Sequence, residues 1–499
     1  MSQPPLTLIL EFARAEQADD AFAFRFMPQT YRLRTAGGGV QQASFPWDEA
    51  LLAELESVRS VGGDPEVLAR LGERLRRFVD PLGWPLIAAQ VVQASEQGRR
   101  VLLTIRSAAA ELYALPWELL SMGASGEHVG ALPNVLLRYE WPETATKAEK
   151  PLPRVGIGRI LVAWSAAGGA VPAAEQVDAV TRACQAGFHP LDPTRDVLQH
   201  VSLRRLGDAL AAAKRDGAPI SVLHILCHGG ETHDTFGLVL NGDSESAAAV
   251  TVDADRLRQV LSPHADMVRL VVLSACDSGN SGRLGNQLGS VAQALHRGGL
   301  ASVVASRYPL SVVGSIRFTR CVYTALLERL GSLESAILDA RTDLAGDTAH
   351  RDWASIQLYA READGPDTRP LQFRPYPGLA AFDRAQRRFY FGREELTRKL
   401  WQRCQDLVGD ARATRLLARR RLTHARERLL QVAHEACRLA LDLAPPGEPL
   451  GDRQFDRRAV AKIDKILDGA FTERLRADPH RGQLPPAPPA CRGAGAPDW

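Results

Sequence analysis

A histidine and a cysteine each follow an apolar run: ISVLHILCHGG carries His228, and VRLVVLSACDSG carries Cys276. An imidazole beside a thiol is the minimum for nucleophilic attack on a carbonyl carbon. A thiol with an ordinary pKa of about 8.5 is mostly protonated at neutral pH, so a neighbouring base has to share its proton. His228 can supply that base, and the sulfur of Cys276 can then attack. Gly229 and Gly230 leave room for a carbonyl to approach the backbone. The amide N–H groups of Gly229 and Cys276 could together form an oxyanion hole.

The two runs, 220–227 and 268–275, are rich in Val, Ile and Leu and read as strands buried on both faces. Both candidate groups then sit at carboxyl ends of strands, where open parallel sheets bind their ligands. Around them strand and helix patterns alternate. RILVAWS is followed by the helical AAEQVDAVTRACQ and LRRLGDALAAAK, then the His strand, the helical ADRLRQVLS, the Cys strand, the helical LGSVAQALHRG and the strand LASVVAS. SIRFTRCVYTALLERLG and SLESAILDARTDLAG close the unit before Trp353. Such alternation predicts an α/β fold, a mainly parallel sheet with helices on both faces. Residues 1–150 read as an α/β companion region, with LTLILEF and RRVLLTIRS as strands and 48–77 as helical. The basic, proline-bearing ATKAEKPLPR separates it from a core at 155–365.

Each residue also has a plainer reading. A Cys at a strand end can be a small buried hydrophobe. Strand alternation sends Cys227 to the face opposite His228, which makes it a core residue. His224 shares the parity of His228, and a hydrogen-bonded structural histidine is the expected role. His233 reads as a solvated loop residue. Joint metal ligation by His224, Cys227, His228 and Cys276 is opposed by the same parity, and no CxxC or HExxH spacing supports it. No cofactor is expected.

The chain has 499 residues, 45% hydrophobic and 24% charged, which fits more than one globular core. A net charge of +3 gives no global case for nucleic acid or membrane binding. Its seven cysteines are scattered and odd in number, and no signal peptide pattern opens the chain. No apolar run reaches the roughly 20 residues that span a bilayer. The cytoplasm is the expected compartment.

The segments LPWELL, HILCHGG, VRLVVLSACDSG, GGLASVVASRYPL and DWASIQLYA resemble, in order, the landmarks of CHAT domains, caspase-like cysteine peptidases of clan CD related to separase. The resemblance covers about residues 90–362. It implies a caspase-like sheet, His228 and Cys276 as a catalytic dyad, and a protein substrate. It also implies that the segment after the strand following the nucleophile pairs with substrate, which lands on Ser306, Arg307 and Tyr308. A Leu-Trp pair is frequent in the family where this chain has Arg307 and Tyr308. Asp277, beside the nucleophile, would bias a pocket toward basic residues or cap its loop. The loop 277–284 (DSGNSGRL) has the Ser, Gly and Asn content of a segment with more than one backbone state.

At 371–417, PYPGL, an aromatic run and FGRE are similar to the opening segment of STAND-type signalling NTPases, whose phosphate loop should follow. DLVGDARATRLLARRRLTHARERLL contains no G-x-x-x-x-G-K-[ST], so nucleotide hydrolysis is not expected. Residues 418–499 read as a basic amphipathic helix, for which a solvated face is favoured over nucleic acid binding, and a Pro-, Gly- and Ala-rich disordered end. The abrupt loss of the NTPase pattern is what a truncated or frame-shifted gene leaves. The resemblance implies an effector peptidase of a bacterial signalling or defence system, with a regulatory or sensor protein as a second partner. A catalytically silent scaffold is the alternative from another class.

Overall fold

The structure is a computed structural model. It describes residues 3–371 apart from 17–25, 36–37, 59–63, 124–125, 143, 147–157, 233–234, 245–247, 276–287, 309 and 348–349, together with 395, 398–400, 402–403 and 405. Cys276, Asp277, His233, the loop 277–284 and nearly all of 372–499 therefore lie outside the described residues. The chain divides into two units, Met1–Arg374 and Pro375–Trp499.

The first unit opens with strands β1 (Leu6–Arg14), β2 (Gln29–Arg34) and β3 (Val40–Phe45), then helices α1 (Glu49–Ser57), α2 (Pro65–Val79) and α3 (Trp84–Glu96), then β4 (Val101–Ser107) and β5 (Val135–Glu140). It continues through β6 (Arg159–Trp164), α4 (Ala173–Ala186), α5 (Pro193–Asp196), β7 (Val197–Leu198), α6 (Leu203–Arg215), β8 (Ile220–Thr232), β9 (Thr235–Leu240), β10 (Val250–Asp253) and α7 (Ala254–Leu261). It closes with β11 (Leu270–Ala275), α8 (Leu288–Arg297), β12 (Ser302–Ser306), α9 (Val312–Tyr323), α10 (Leu333–Ala345) and β13 (Ile356–Ala360). Local chemistry sets many helix starts. Asp64, Ser202, Asp253, Ser311 and Ser332 each accept a backbone N–H of the first turn, satisfying a donor that the helix itself leaves unpaired.

The thirteen strands among the described residues join one sheet, whose main path runs β10-β9-β8-β11-β12-β13-β5-β4-β1-β2-β3, with β6 beside β8 and β7 beside β6. The β8–β11, β11–β12, β6–β8, β4–β5 and β1–β4 pairs are parallel, so the mainly parallel α/β sheet is present. The segments expected as a companion region and a core meet inside this sheet. Strand β5 pairs with β13 at Tyr139 and Tyr359, whose rings lie 5.5 Å apart, and both are fully buried in the shared hydrophobic core. Arg-, Gln- and Thr-rich β2 and β3 lack strong apolar runs, and hairpin pairing to β1 rather than hydrophobic pattern makes them strands.

Candidate active site

Strand β8 does not stop at the glycines as its apolar run suggests. Up to Cys227 it lies within the parallel sheet, with Ala275 of β11 opposite Cys227. From His228 to Thr232 it continues as an antiparallel hairpin with β9, His228 opposite Val239. Gly230 and Gly237 serve that hairpin. A Cβ on Gly230 would lie 2.7 Å from Val239 Cγ2, and one on Gly237 would lie 2.3 Å from the Val252 carbonyl oxygen. Gly230 is therefore explained by close strand approach, independently of any substrate.

His228 occupies the point where β8 leaves β11 for β9, and it is 6% exposed. Its imidazole packs against the turn between β6 and α4, sequence SAAGGAV. Nε2 lies 3.2 Å from the Ala170 carbonyl oxygen. A carbonyl only accepts, so this bond places the ring proton on Nε2 and leaves Nδ1 with its lone pair. The turn is held to its neighbours by the Ser165 N–H, which donates to the Leu226 carbonyl at 2.9 Å, and by the Ser165 hydroxyl, which donates to Asn241 Oδ1 at 2.8 Å. Gly168 and Gly169 have φ of +96° and +143°, a conformation that side chains resist. A Cβ on Gly169 would come within 3.1 Å of His228 Nε2. Neither glycine nor Ala170 stood out in the sequence, although a Gly-Gly pair directly after a strand is a turn signal.

The other strand residues separate as parity requires. Cys227 is 1% exposed in the core. His224 is fully buried; Nδ1 lies 3.1 Å from the Tyr323 hydroxyl and Nε2 lies 2.9 Å from Gln176 Oε1. Burial pushes its pKa down to about 4, so it is neutral at neutral pH. The structural role expected for His224 is the one it has.

Ser306, Arg307 and Tyr308 are 3%, 2% and 7% exposed. The Arg307 N–H donates to the Ser355 carbonyl at 2.7 Å and the Tyr308 N–H to Ser355 Oγ at 2.8 Å. The Arg307 guanidinium donates to Glu118 Oε2 at 2.9 Å and to the Tyr139 hydroxyl at 2.8 Å. Burial opposes its charge, but Tyr139 and Glu118 outweigh burial and hold the group above the ordinary arginine range. Arg341 approaches the other oxygen of Glu118 at 3.5 Å and donates to the Ile356 carbonyl at 2.8 Å. Three of the motif segments thus meet physically. LPWELL supplies Glu118, SRYPL supplies Arg307, and DWASIQLYA supplies Ser355 and Ile356 together with Asp352, which accepts from Ser311 N at 3.0 Å.

Among solved structures, the chain is similar to a secreted C11 cysteine protease from Bacteroides thetaiotaomicron in complex with an irreversible peptide inhibitor, at 12% identity and a TM-score of 0.26, covering 38% of this chain and 59% of that one. It is also similar to the complex of Porphyromonas gingivalis RgpB pro- and mature domains, at 10% identity and a TM-score of 0.37, covering 65% and 77%. A third similarity is to the Saccharomyces cerevisiae separase-securin complex, at 10% identity and a TM-score of 0.29, covering 52% and 16%. The chain spans 59% of the length of the C11 protease. No curated protein matches it. A family profile described as CHAT domain matches residues 72–361, more than half of the sequence, from within α2 to just past the end of β13, and the chain belongs to the CHAT domain family.

Proposed function

We propose that this chain is a cysteine endopeptidase in which His228 is the general base and Cys276 the nucleophile. The observation that carries the reading is register. Strands β8 and β11 run in parallel until Cys227 stands opposite Ala275, and the next residue of each strand in the sequence is His228 and Cys276. Neighbouring strands are about 4.8 Å apart, a spacing that suits an imidazole and a thiol. The tautomer favoured by Ala170 leaves Nδ1 as the nitrogen that takes the thiol proton. Sulfur then attacks the scissile carbonyl, and His228 returns the proton to the leaving amine. The N–H groups of Gly229 and Cys276 are the proposed oxyanion donors. Two of the other described cysteines are poor nucleophiles: burial pushes the Cys184 thiol up to about 12, and burial together with Asp343 raises that of Cys321.

The substrate is a protein, with Asp277 as a candidate for contact near the nucleophile. Ser306 and Tyr308 frame the site, and Arg307 acts through the Glu118 ion pair, since its guanidinium is committed there. The dyad's role as effector of a bacterial signalling or defence system, cytoplasmic and under a sensor partner, is part of the same proposal, drawn from family resemblance. So is the reading of 371–417 as the opening of a STAND-type NTPase without its phosphate loop. No helix among the described residues is long and apolar enough to cross a membrane. Incubating a mixed peptide pool with wild type and Cys276→Ala tests the reading against a silent scaffold. New termini are expected only with wild type, and identical pools would favour the scaffold.

A further inference from the structure

Four polar side chains from four elements form an unbroken hydrogen-bond chain in the interior next to the site. Gln176 Nε2 of α4 donates to Ser274 Oγ of β11 at 3.1 Å. Its Oε1 accepts from His224 Nε2 of β8 at 2.9 Å. The Tyr323 hydroxyl of α9 completes the chain by donating to His224 Nδ1 at 3.1 Å. His224, Gln176 and Tyr323 are fully buried and Ser274 is 3% exposed. Burying an amide and a hydroxyl among apolar residues is costly unless each finds a partner, so four such groups from separate elements specify one relative placement of those elements.

The placement concerns the site. His224 lies four residues before His228 on the same face of β8, Ser274 lies two residues before Cys276, and Gln176 lies six residues after Ala170, the acceptor of His228 Nε2. One carboxamide therefore ties together the His strand and the Cys strand, from a helix that follows directly on the turn that orients the imidazole. We propose that Gln176 is a positioning residue for the dyad, fixing the ends of β8 and β11 and the Ala170 turn relative to one another through His224 and Ser274. This rests on the peptidase reading above. The chain needs neutral His224 protonated on Nε2, and the depressed pKa of that buried ring keeps it so at neutral pH. A side chain that only filled space at position 176 would be replaceable by leucine without effect on catalysis. A positioning residue would not, because misplacing reacting groups by about 1 Å costs about 100-fold in rate.

The test compares Gln176→Leu, which deletes both bonds, with Gln176→Glu, whose carboxylate can still accept from His224 Nε2 and from the Ser274 hydroxyl. In the full chain, on the fastest-cleaved member of a mixed peptide pool, Gln176→Leu should lower kcat about 100-fold and leave KM within about twofold. Gln176→Glu should recover most of the loss. Ring-nitrogen NMR of 15N-histidine-labelled protein gives a readout independent of turnover. The His228 Nε2–H signal should shift or broaden in Gln176→Leu and stay in place in Gln176→Glu. Unchanged kcat and unchanged His228 resonances in Gln176→Leu would overturn the proposal, as would equal losses in both variants. If wild type cleaves nothing, the peptidase reading fails, and the His228 resonances still decide whether Gln176 positions the ring.

Discussion

Gly169→Ala perturbs the imidazole without touching its chemistry. At φ of +143° an alanine is strained, at a cost of about 1–3 kcal/mol. The new Cβ would sit 3.1 Å from His228 Nε2, tighter than an ordinary contact of 3.4–4 Å, so the ring or the turn must give by a few tenths of an ångström. The Nε2 to Ala170 bond already measures 3.2 Å, and that displacement carries it to the limit of hydrogen bonding. Losing the bond costs about 1 kcal/mol and frees the ring to change tautomer. Together, turnover of a cleaved peptide should fall about 10- to 100-fold, with the urea midpoint lowered by an amount matching the backbone strain. Gly168→Ala is the control. Its φ of +96° is strained too, but its Cβ would meet Val239 Cγ1 at 3.3 Å and His228 only at ordinary contact distances, Cβ at 3.7 Å and Cδ2 at 3.8 Å. Similar destabilisation with a much smaller loss of turnover is expected there. If Gly169→Ala cleaved at the wild-type rate, or if both variants lost activity equally, the role assigned to the turn would be wrong.

Removing Glu118 leaves the Arg307 and Arg341 guanidinium groups without their shared carboxylate, so Glu118→Ala should cost about 3–5 kcal/mol in urea unfolding; an unchanged midpoint would contradict the ion-pair account. His224 and His296 are both held neutral by burial, with pKa values lowered to about 4 from an ordinary value near 6.5. Between those values the unfolded chain binds protons that the folded chain does not, so stability is full above about pH 6.5 and is lost as pH falls toward 4, by roughly 2 kcal/mol per ring between pH 7 and 5. Urea titrations at the two pH values measure it, and His224→Gln should flatten the dependence. Calorimetry with ATP and magnesium should give no saturable heat, because the phosphate-loop pattern is missing after FGRE; a micromolar isotherm would reverse that reading.

The parallel core was legible because Val-, Ile- and Leu-rich runs alternate with helices whose apolar residues recur at helical spacing. The hairpin of β9 and β10 was not, since TFGLVL becomes a strand by pairing to the extension of β8, and VTVD by pairing to TFGLVL, rather than through their own pattern. The same long-range effect hid the seam at Tyr139 and Tyr359: a basic linker near residue 150 reads as a boundary, while the chain returns through β13 to complete the earlier sheet. His228 was singled out by its place after an apolar run, and parity placed Cys227 and His224 in the interior, where both are buried. Ala170 acts through a backbone carbonyl, which carries no side-chain signature. Gln176 lies in an ordinary amphipathic helix, where one polar residue turned inward is indistinguishable from those turned outward. The family resemblance names Arg307 within a substrate-pairing segment, but nothing in the local sequence announces the buried carboxylate partner of its guanidinium, 189 residues away in the chain.

Activation of Cys276 by His228 is the central step of the proposed chemistry, and the pH dependence of alkylation measures it directly. Iodoacetamide modification of Cys276, followed by mass spectrometry in wild type and in His228→Ala, reports the thiolate present at each pH. Wild type should react with a midpoint well below the ordinary thiol value of about 8.5, and His228→Ala should return the midpoint to that value and slow the reaction at pH 7 by about tenfold or more. Coincident profiles with a midpoint near the ordinary thiol value would mean that the two residues do not form a dyad.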